Sequence, residues 1–492
     1  MRKPFLGILC LCAVTCAGRA EQPPEQQWVA IYSEPGSRSD QSSAIAVDSF
    51  GNVYVTGVSY LETVATSDYV IIKYDPNGSQ LWSARYNGTA NDWDIPKVIV
   101  VDSIGNVYVA GSSYGIGSEC DYATLKYDTD GKELWVARYN GPTNGYDYLM
   151  DMAITNSGYV YVTGYRSGGG STIKYDSNGS EVWVASDEIE GRALAIDDLE
   201  NVYVTGQYHV SGKGWNYITA KYEPNGNKLW SSTYVGPFGH GSSKDIVVDD
   251  QYNVYISGLS SNGVSYDYLT IKYDSNGNEL WMARYNNGTD NINYNIYLNI
   301  DNFNNAIVTG VSKNANNNYD YLTIKYDSNG HELWARRYNG PADKDDWPRD
   351  ATIDDTGNIY VTGASWDPNT SDDCVTIKYD PNGNELWNMR YNDSQNSWDQ
   401  GSAIEIDKSG NVYVTGYATN NSYDMTNLTI KYTQHDYCTG AIAGDFDHNC
   451  KVDFFDFAIF AAAWLEGSNF ENLAVLGEHW LKCNFALEED CW

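Results

Sequence analysis

Apolar and polar residues alternate along most of this chain in short segments that recur at a nearly constant spacing. The string Asn52–Gly57, Asn-Val-Tyr-Val-Thr-Gly, returns with small changes seven more times. Alternation with a period of two, between Gly, Asn and Asp punctuation, is typical of short β-strands. The glycine that ends each copy stands at Gly57, Gly111, Gly164, Gly206, Gly258, Gly310, Gly363 and Gly416. Steps of 42 to 54 residues between these glycines indicate an internal structural repeat.

Each repeat contains four such segments: Ala-Ile-x-Val-Asp, Val-Tyr-Val, Ile-Lys-Tyr and Leu-Trp-x-x-Arg-Tyr. Asp-x-Asn-Gly separates the last two, as at Asp274–Gly277. Asn-Gly is expected to supply the positive φ angles of a tight hairpin, so the third and fourth strands should pair antiparallel. Four strands at a period of about 50 residues are typical of propeller blades. The sequence therefore predicts an all-β, eight-bladed β-propeller of four-stranded blades over residues 27–433.

The two ends of the repeat region predict how the ring closes. A first Trp strand, Gln27–Tyr32, precedes any complete repeat, whereas the last repeat stops after Ile430–Tyr432 without a Trp strand of its own. We expect the N-terminal strand to complete the eighth blade. Such closure removes an open sheet edge that would otherwise promote aggregation.

These repeats resemble the bacterial SBBP-type β-propeller repeat, whose signature is Gly-Asn-Val-Tyr-Val-Thr-Gly, over residues 27–433 or so. The Trp hairpin also looks like that of quinoprotein dehydrogenase propellers. The adjacent cysteine pair that would support that enzyme is not found in this sequence. The resemblance implies a propeller fold and leaves the ligand open.

The N-terminus and the charge predict a secreted protein. Residues 1–20 have the basic start, the apolar run Phe5–Val14 and the small-residue exit of a signal peptide. The net charge of −34 becomes −34 − 3 = −37 after removal of Arg2, Lys3 and Arg19. So negative a surface disfavours nucleic acid and anionic membranes as partners. No other segment has the length and hydropathy of a transmembrane helix.

Two residue types repeat at fixed positions and invite a functional interpretation. The Trp of each fourth segment could form a sugar platform, but the favoured interpretation is packing between neighbouring blades. The Lys of Ile-Lys-Tyr needs a partner if it is buried. An Asp stands five residues before it in five repeats, and a structural ion pair is predicted. These acids are Asp68, Asp121, Asp267, Asp320 and Asp373.

A second set of acids is the candidate ligand site of the propeller. Each stands eight residues before the residue that ends the first segment, which is Asp in four of these repeats and Thr155 in the third, and Asn293 takes the place in another repeat. The set is Asp40, Asp94, Asp147, Asp346 and Asp399. If the first strand lines the central channel, these residues ring one mouth of it and form a cation- or ligand-binding rim; the alternative is that each carboxylate caps the loop entering its blade. The third repeat is shortened at Gly168–Gly170, which predicts a notch on one face of the ring.

Beyond His435 the composition changes, and an EF-hand pattern appears. Carboxylate or amide oxygens stand at loop positions 1, 3, 5, 9 and 12, and position 7 would offer its backbone carbonyl. The predicted ligands of one Ca²⁺ are Asp445, Asp447, Asn449, Lys451, Asp453 and Asp456. Cys450 replaces the usual Gly at position 6, where a positive φ is often needed. The helix predicted after the loop, Phe457–Leu465, has a near-copy at Leu473–Leu481.

Paired helices after such a loop resemble a type I dockerin module, over residues 441–483 or so within a predicted module of residues 441–492. The resemblance implies attachment to a cohesin-like partner. The second copy lacks a ligand series, and Phe454 and Phe455 replace the small polar residues of cohesin-binding dockerins. Six cysteines follow the signal peptide. Cys120 and Cys374 are expected to be buried thiols, while Cys438, Cys450, Cys483 and Cys491 allow three disulfide pairings.

Two classes of function remain open from the sequence. The first is a secreted or cell-surface binding or scaffold protein that recognises a protein or polysaccharide through the propeller. The second is an enzyme of extracellular polysaccharide breakdown, a glycoside hydrolase or lyase, since dockerins usually accompany such enzymes. Glycosidases need one pair of carboxylates across a cleft. The acids here repeat around the ring, which favours binding.

Overall fold

The computed structural model describes residues 23–61, 66–289, 295–420 and 424–434. Within them the chain forms eight antiparallel four-stranded sheets. In chain order the strands are β1 (Glu25–Tyr32), β2 (Ser37–Val47), β3 (Val53–Leu61), β4 (Ser67–Tyr74), β5 (Gln80–Tyr86), β6 (Asp94–Val101), β7 (Val107–Tyr114), β8 (Cys120–Tyr127), β9 (Glu133–Tyr139), β10 (Asp147–Ile154), β11 (Val160–Arg166), β12 (Gly169–Tyr175), β13 (Glu181–Asp187), β14 (Glu190–Ile196), β15 (Val202–Val210) and β16 (Gly214–Tyr222). They continue as β17 (Lys228–Tyr234), β18 (Gly241–Val248), β19 (Val254–Ser261), β20 (Tyr266–Tyr273), β21 (Glu279–Thr289), β22 (Ile296–Ile300), β23 (Ala306–Lys313), β24 (Tyr319–Tyr326), β25 (Glu332–Tyr338), β26 (Asp346–Ile353), β27 (Ile359–Asp367), β28 (Ser371–Tyr379), β29 (Glu385–Tyr391), β30 (Asp399–Ile406), β31 (Val412–Thr419) and β32 (Met425–Thr433).

The sheets are the blades of a closed propeller, as predicted. The first strand of every blade contacts the first strands of both neighbouring blades, so the eight first strands surround a central channel. Blades one to seven each use four consecutive strands, from β2–β5 to β26–β29. The eighth has the order β1-β32-β31-β30. The prediction that the N-terminal strand completes the last blade is therefore confirmed.

The apolar core lies between adjacent blades. One cluster joins Tyr54 and Tyr69 of blade one to Ile99 and Val109 of blade two, and equivalent clusters recur around the ring. The Tyr of Val-Tyr-Val is fully buried in every blade that carries it. In six of these blades its hydroxyl donates to the Asp after the first strand, as Tyr54 does to Asp48 at 3.0 Å, whereas Tyr161 donates to the carbonyl of Glu200. Burial of the ring and a partner for its hydroxyl explain why Tyr suits this position.

The repeated Trp packs each blade against the next. Seven indoles donate Nε1–H to a carbonyl in the third hairpin of the following blade, at 2.9–3.1 Å, as Trp28 does to Pro76 and Trp334 to Pro381. Each of these indoles also lies against the glycine of that hairpin. A Cβ on Gly78 would stand 2.6 Å from the Trp28 ring, and Gly78 has φ +83°. The packing interpretation of the Trp is confirmed. Glycine is needed at this position for two reasons, the positive φ angle and the close approach of the indole.

The hairpin itself differs from the prediction. Gly78 has a positive φ, but Asn77 does not. Asp75 accepts the N–H of Gly78 on its carbonyl and those of Asn77 and Ser79 on its carboxylate. The loop is thus a four-residue turn, residues 75–78, whose last residue is a left-handed glycine. The carboxylate determines its shape, which a two-residue Asn-Gly turn would not require.

The junction between blades seven and eight differs from the others in the hydrogen bond of its indole. Trp387 of blade seven faces blade eight, in which β32 and β1 come from opposite ends of the chain and no hairpin joins them. The Trp387 side chain is 4% exposed, and its Nε1 has no hydrogen-bond partner among the described residues. At the other seven blade junctions, a carbonyl in the third hairpin of the following blade accepts the indole N–H.

Candidate binding face and central channel

The five predicted rim acids occupy equivalent places at the start of the first strand. Each is buried and accepts the backbone N–H of the residue six positions earlier. The pairs are Asp40 with Glu34 (3.0 Å), Asp94 with Gly88 (2.6 Å), Asp147 with Gly141 (2.5 Å), Asp346 with Gly340 (2.6 Å) and Asp399 with Asp393 (2.8 Å). Burial raises the pKa of Asp94 to about 6 and that of Asp399 to about 7. The carboxylates hold the links between blades; ligand binding by them stays a prediction. Asn293 lies outside the described residues.

The predicted pairing of the repeated Lys was wrong. Lys73 and Asp68 are five residues apart on β4, and an odd separation places side chains on opposite faces of a strand. Asp68, Asp121, Asp267 and Asp373 pair instead with Arg85, Arg138, Arg284 and Arg390 of the fourth strands. The lysines point toward the turn that follows the first strand, as in Lys325 with Asp301 at 2.9 Å. Their amines also lie over the buried Tyr rings, at 5.0 Å for Lys73 over Tyr54.

Three exposed aromatic side chains stand directly before rim acids. They are Trp93 (42% exposed), Tyr146 (46%) and Trp398 (45%). In each case the carbonyl accepts an N–H from the end of the second strand or the residue after it; the donors are Tyr114 (3.1 Å), Ser167 (2.9 Å) and Thr419 (2.9 Å). The links between blades and the second hairpin of each blade lie at the same end of the strands. We call this end of the ring the loop face.

Further aromatic residues extend this surface of the loop face. The rings of Tyr148 and Tyr146 are stacked with an interplanar angle of 5°. The centre of the Tyr148 ring lies 5.1 Å from the centre of the Tyr165 ring. Trp347 lies 4.6 Å from Tyr319 of the preceding blade. In the shortened third blade only Ser167 and Gly168 separate β11 from β12, which confirms the predicted short loop beside Tyr148 and Tyr165. We call the opposite end of the ring, where the first and third hairpins of each blade lie, the turn face. Its exposed apolar side chains among the described residues include Phe50 and Phe303, one in each of two hairpins.

Charged side chains lie at one level of the channel. A β-bulge occurs in the first strand of seven blades, and its extra residue is Lys97, Arg192, Lys244 or Arg349 in four of them. In blades three, five and seven the residue directly after the bulge is an acid, namely Asp151, Asp245 and Asp350. Each of these acids accepts the N–H of the first strand of the following blade, from Leu194, Leu298 and Ile404 at 2.7–2.9 Å. The acids therefore link neighbouring blades around the channel.

Burial within the channel raises the pKa of Asp151 to about 6, and those of Asp245, Asp350 and Glu405 to about 7. Nearby carboxylates add to the shift of Asp245, and Lys97 opposes that of Asp151 and Asp350. Unfolding returns these groups to ordinary values, about 3.9 for Asp and 4.3 for Glu. The folded chain therefore binds more protons between about pH 4 and pH 7, and the free energy of unfolding falls as pH rises through that window.

We expect a higher Tm at pH 5 than at pH 8, measured by differential scanning calorimetry. The double variant Asp245→Asn, Asp350→Asn should flatten this pH dependence because two of the responsible carboxyls are gone. Asp130→Asn removes one exposed charge from the turn face and serves as the control. An unchanged slope in the double variant would show that the channel acids are not its source.

Other predicted features have the following outcomes. Cys120 and Cys374 are buried free thiols, as predicted. Among the described residues, no three His, Cys, Asp or Glu side chains are arranged to hold a metal ion, and no helix could span a bilayer. The predicted calcium ligands, between Asp445 and Asp456, and the cysteines at 438, 450, 483 and 491 lie outside the residues that the structure describes. The predicted signal peptide, residues 1–20, also lies outside them.

The repeats and the closed ring define the class of this protein as an eight-bladed β-propeller. Residues 27–60, 333–369 and 395–424 match the SBBP β-propeller repeat profile. Residues 66–313, about half of the chain, match a profile described as outer membrane protein assembly factor BamB. The chain belongs to the β-propeller family of that profile; the assembly role in its description is said of the proteins that it names.

Among individual proteins, the chain matches an uncharacterized WD repeat-containing protein of Acanthamoeba polyphaga mimivirus at 25% identity over 437 residues. The match covers 79% of this chain but 28% of the viral protein. Solved structures similar to it include virginiamycin B lyase from Staphylococcus aureus (9% identity, TM-score 0.41, 82% of this chain and 99% of that one). Drosophila Plexin A in complex with Semaphorin 1b is another (10% identity, TM-score 0.40, 86% and 90%).

Proposed function

We propose that this propeller is a binding protein whose loop face recognises a polysaccharide. The observation that carries the proposal is the set Trp93, Tyr146 and Trp398, which are exposed at one repeated position. Side chains of this size stabilise complexes by covering apolar surface, and the apolar face of a sugar ring is a suitable partner. The rim acids support the proposal because they hold the backbone links on which these aromatic residues lie.

The rigidity of the ring strengthens this proposal. The backbone carbonyl of each aromatic residue accepts a hydrogen bond from the second strand or the residue after it. The rim acid that follows the aromatic residue accepts a backbone N–H of the link between blades. A preformed surface avoids much of the ordering cost of binding. Separate aromatic positions around one face suit an extended ligand better than a small one. A polysaccharide, which repeats its sugar rings, matches such a surface.

Affinity electrophoresis of the secreted full chain against neutral and acidic polysaccharides tests this proposal. Replacing Trp93, Tyr146 or Trp398 by Ala should weaken retention about tenfold each, as loss of about 1.4 kcal/mol requires. Phe303→Ala, which removes an exposed aromatic from the turn face, is the control. Retention that is insensitive to the three loop-face variants, or lost equally in Phe303→Ala, would overturn the proposal. Shortening of the polysaccharide during the assay would support a hydrolase or lyase instead.

Secretion and attachment complete the proposed function. Residues 1–20 would direct export, and residues 441–492 would form a calcium-binding, dockerin-like module that attaches the propeller to a cohesin-like partner. The spacing of Asp445, Asp447, Asn449, Asp453 and Asp456, with the Lys451 carbonyl, supports Ca²⁺ as the bound ion because this ion takes six to eight oxygen ligands.

A further inference from the structure

Four bases occupy one repeated position of the first strands, beside the channel acids, in a protein whose overall charge is −34. Lys97, Arg192, Lys244 and Arg349 are the extra residues of β-bulges in the first strands, the strands that surround the channel. None of the four makes an ion pair within 4.0 Å with another described residue, whereas most other repeated bases of the ring do. Lys97 is exposed, whereas Arg192, Lys244 and Arg349 are half-buried. A half-buried base without a carboxylate partner needs a physical explanation.

The carboxylates beside these bases are already engaged. Asp245 accepts the N–H of Ile246 at 2.8 Å and that of Leu298 at 2.7 Å. Asp151 accepts the N–H groups of Met152 and Leu194, both at 2.8 Å. Since their oxygens face the backbone, these acids do not serve as close counterions for the bases. Arg349 donates to the side-chain oxygen of Gln400 at 3.1 Å. Arg192 and Lys244 have no ion pair within 4.0 Å with a described carboxylate, and these two bases are the candidates for a ligand site.

Arg192 and Lys244 occupy the same bulge position on adjacent blades, four and five. Burial and the charge of Arg192 lower the pKa of Lys244 to about 8. Two neighbouring cations without a close counterion favour an anion between them. The Nε of Arg192 is buried without a hydrogen-bond partner among the described residues.

Aromatic residues of the loop face adjoin this pair. The guanidinium of Arg192 lies 4.7 Å from the centre of the Tyr165 ring. Tyr165 in turn lies 5.1 Å from Tyr148, which stacks on the exposed Tyr146. A continuous path therefore leads from exposed aromatic rings to the two bases. The short second hairpin of blade three lies along this path.

We infer that Arg192 and Lys244 bind the carboxylate of an acidic sugar whose ring lies against Tyr148, so that the polysaccharide recognised by this propeller contains uronic acid. The inference rests on the proposed function and specifies its ligand class. A guanidinium can form two parallel hydrogen bonds with a carboxylate, and an ammonium adds a third donor. The negative exterior of the protein would not attract such a ligand, so the local bases must supply its recognition.

Calorimetric titration of the full chain with an oligogalacturonate, and with a neutral glucan oligomer of equal length, tests this inference. The acidic oligomer should bind more tightly, and Arg192→Gln or Lys244→Met should each weaken it about tenfold or more. Lys97→Met removes a base from the same bulge position in blade two and should change affinity less than about twofold. Arg192→Lys, which keeps the charge, should retain part of the affinity and guards against an effect of misfolding.

The outcomes separate the two proposals. Equal binding of both oligomers, unaffected by Arg192→Gln and Lys244→Met, would overturn the carboxylate subsite and leave polysaccharide binding in place. Failure of both oligomers and of the longer polysaccharides to bind would overturn the proposed function and this inference with it. Binding of acetate that is lost in Arg192→Gln, without binding of any oligosaccharide, would keep the anion site but overturn the sugar as its ligand.

Discussion

Deletion of residues 25–32 is expected to lower the free energy of unfolding by about 5 kcal/mol or more and to make the protein self-associate. The deleted strand β1 pairs with β32 from Glu25–Thr433 to Tyr32–Asn427. It also carries Trp28, whose indole bonds to Pro76 and lies 6.1 Å from Tyr74 in blade one. Loss of a packed Trp alone costs about 3–5 kcal/mol. The strand hydrogen bonds and the remaining apolar contacts are lost in addition.

The exposed edge explains the second part of this expectation. Leu428, Ile430 and Tyr432 of β32 are at most 1% exposed in the closed ring. Without β1, the backbone edge of β32 would be free to pair with another chain. Guanidinium unfolding and light scattering after size exclusion measure the two effects. A synthetic peptide of residues 23–33 should restore the monomer by adding the missing strand. A truncated chain that stays monomeric with an unchanged unfolding midpoint would contradict the closure.

Asp373→Ala should destabilise the ring by about 3 kcal/mol. Arg390 donates to Asp373 at 2.7 Å, to the carbonyl of Ser365 at 3.0 Å and to the Tyr338 hydroxyl of the preceding blade at 3.3 Å. The carboxylate is 2% and the guanidinium 23% exposed. Removal of Asp373 leaves a largely buried cation without its counterion, and it loosens a contact between blades six and seven.

Blade six provides the matched control for this prediction. Asp320 occupies the equivalent position but accepts from Asn314 at 2.9 Å, while Arg337 donates to the Lys313 carbonyl. Asp320→Ala breaks a hydrogen bond to a neutral amide and should cost about 1 kcal/mol. Thermal unfolding of both variants measures the difference. Equal destabilisation would mean that the ion pair of blade seven contributes no more than the neutral pair.

Most of the fold could be predicted because its repeats are local. The alternation of Val-Tyr-Val, the Trp strands and the turn glycines each depend on interactions within one blade or with the next, and these recur at every step. The last repeat lacks a Trp strand, and an additional Trp strand that contains Trp28 precedes the first repeat. These two observations were enough to predict how the ring closes. The predicted pairing of the repeated Lys with the Asp five residues before it was wrong. An odd separation along a strand places the two side chains on opposite faces of the sheet, so closeness in sequence does not bring them together.

The candidate site was harder to predict because it lies where the repeats differ. Trp93, Tyr146 and Trp398 each precede a rim acid, and these aromatic–Asp pairs were the available signal. The acid recurs in five repeats and the aromatic residue before it in three of them, so the acid is the stronger of the two signals. Lys97, Arg192, Lys244 and Arg349 share a repeat position, but the chain gives no sign that this position is a bulge.

The sequence by itself determined the blade, the number of blades and the manner of closure, since periodicity and turn chemistry act over short distances. Only the tertiary structure decided which charges meet. Asp373 finds Arg390, Lys325 finds Asp301, and Asp151 links its blade to Leu194 of the next, each through the twist and packing of the sheets. The channel and loop face arise where eight blades converge. Their chemistry depends on residues from separate repeats brought together in the ring, which no single repeat contains.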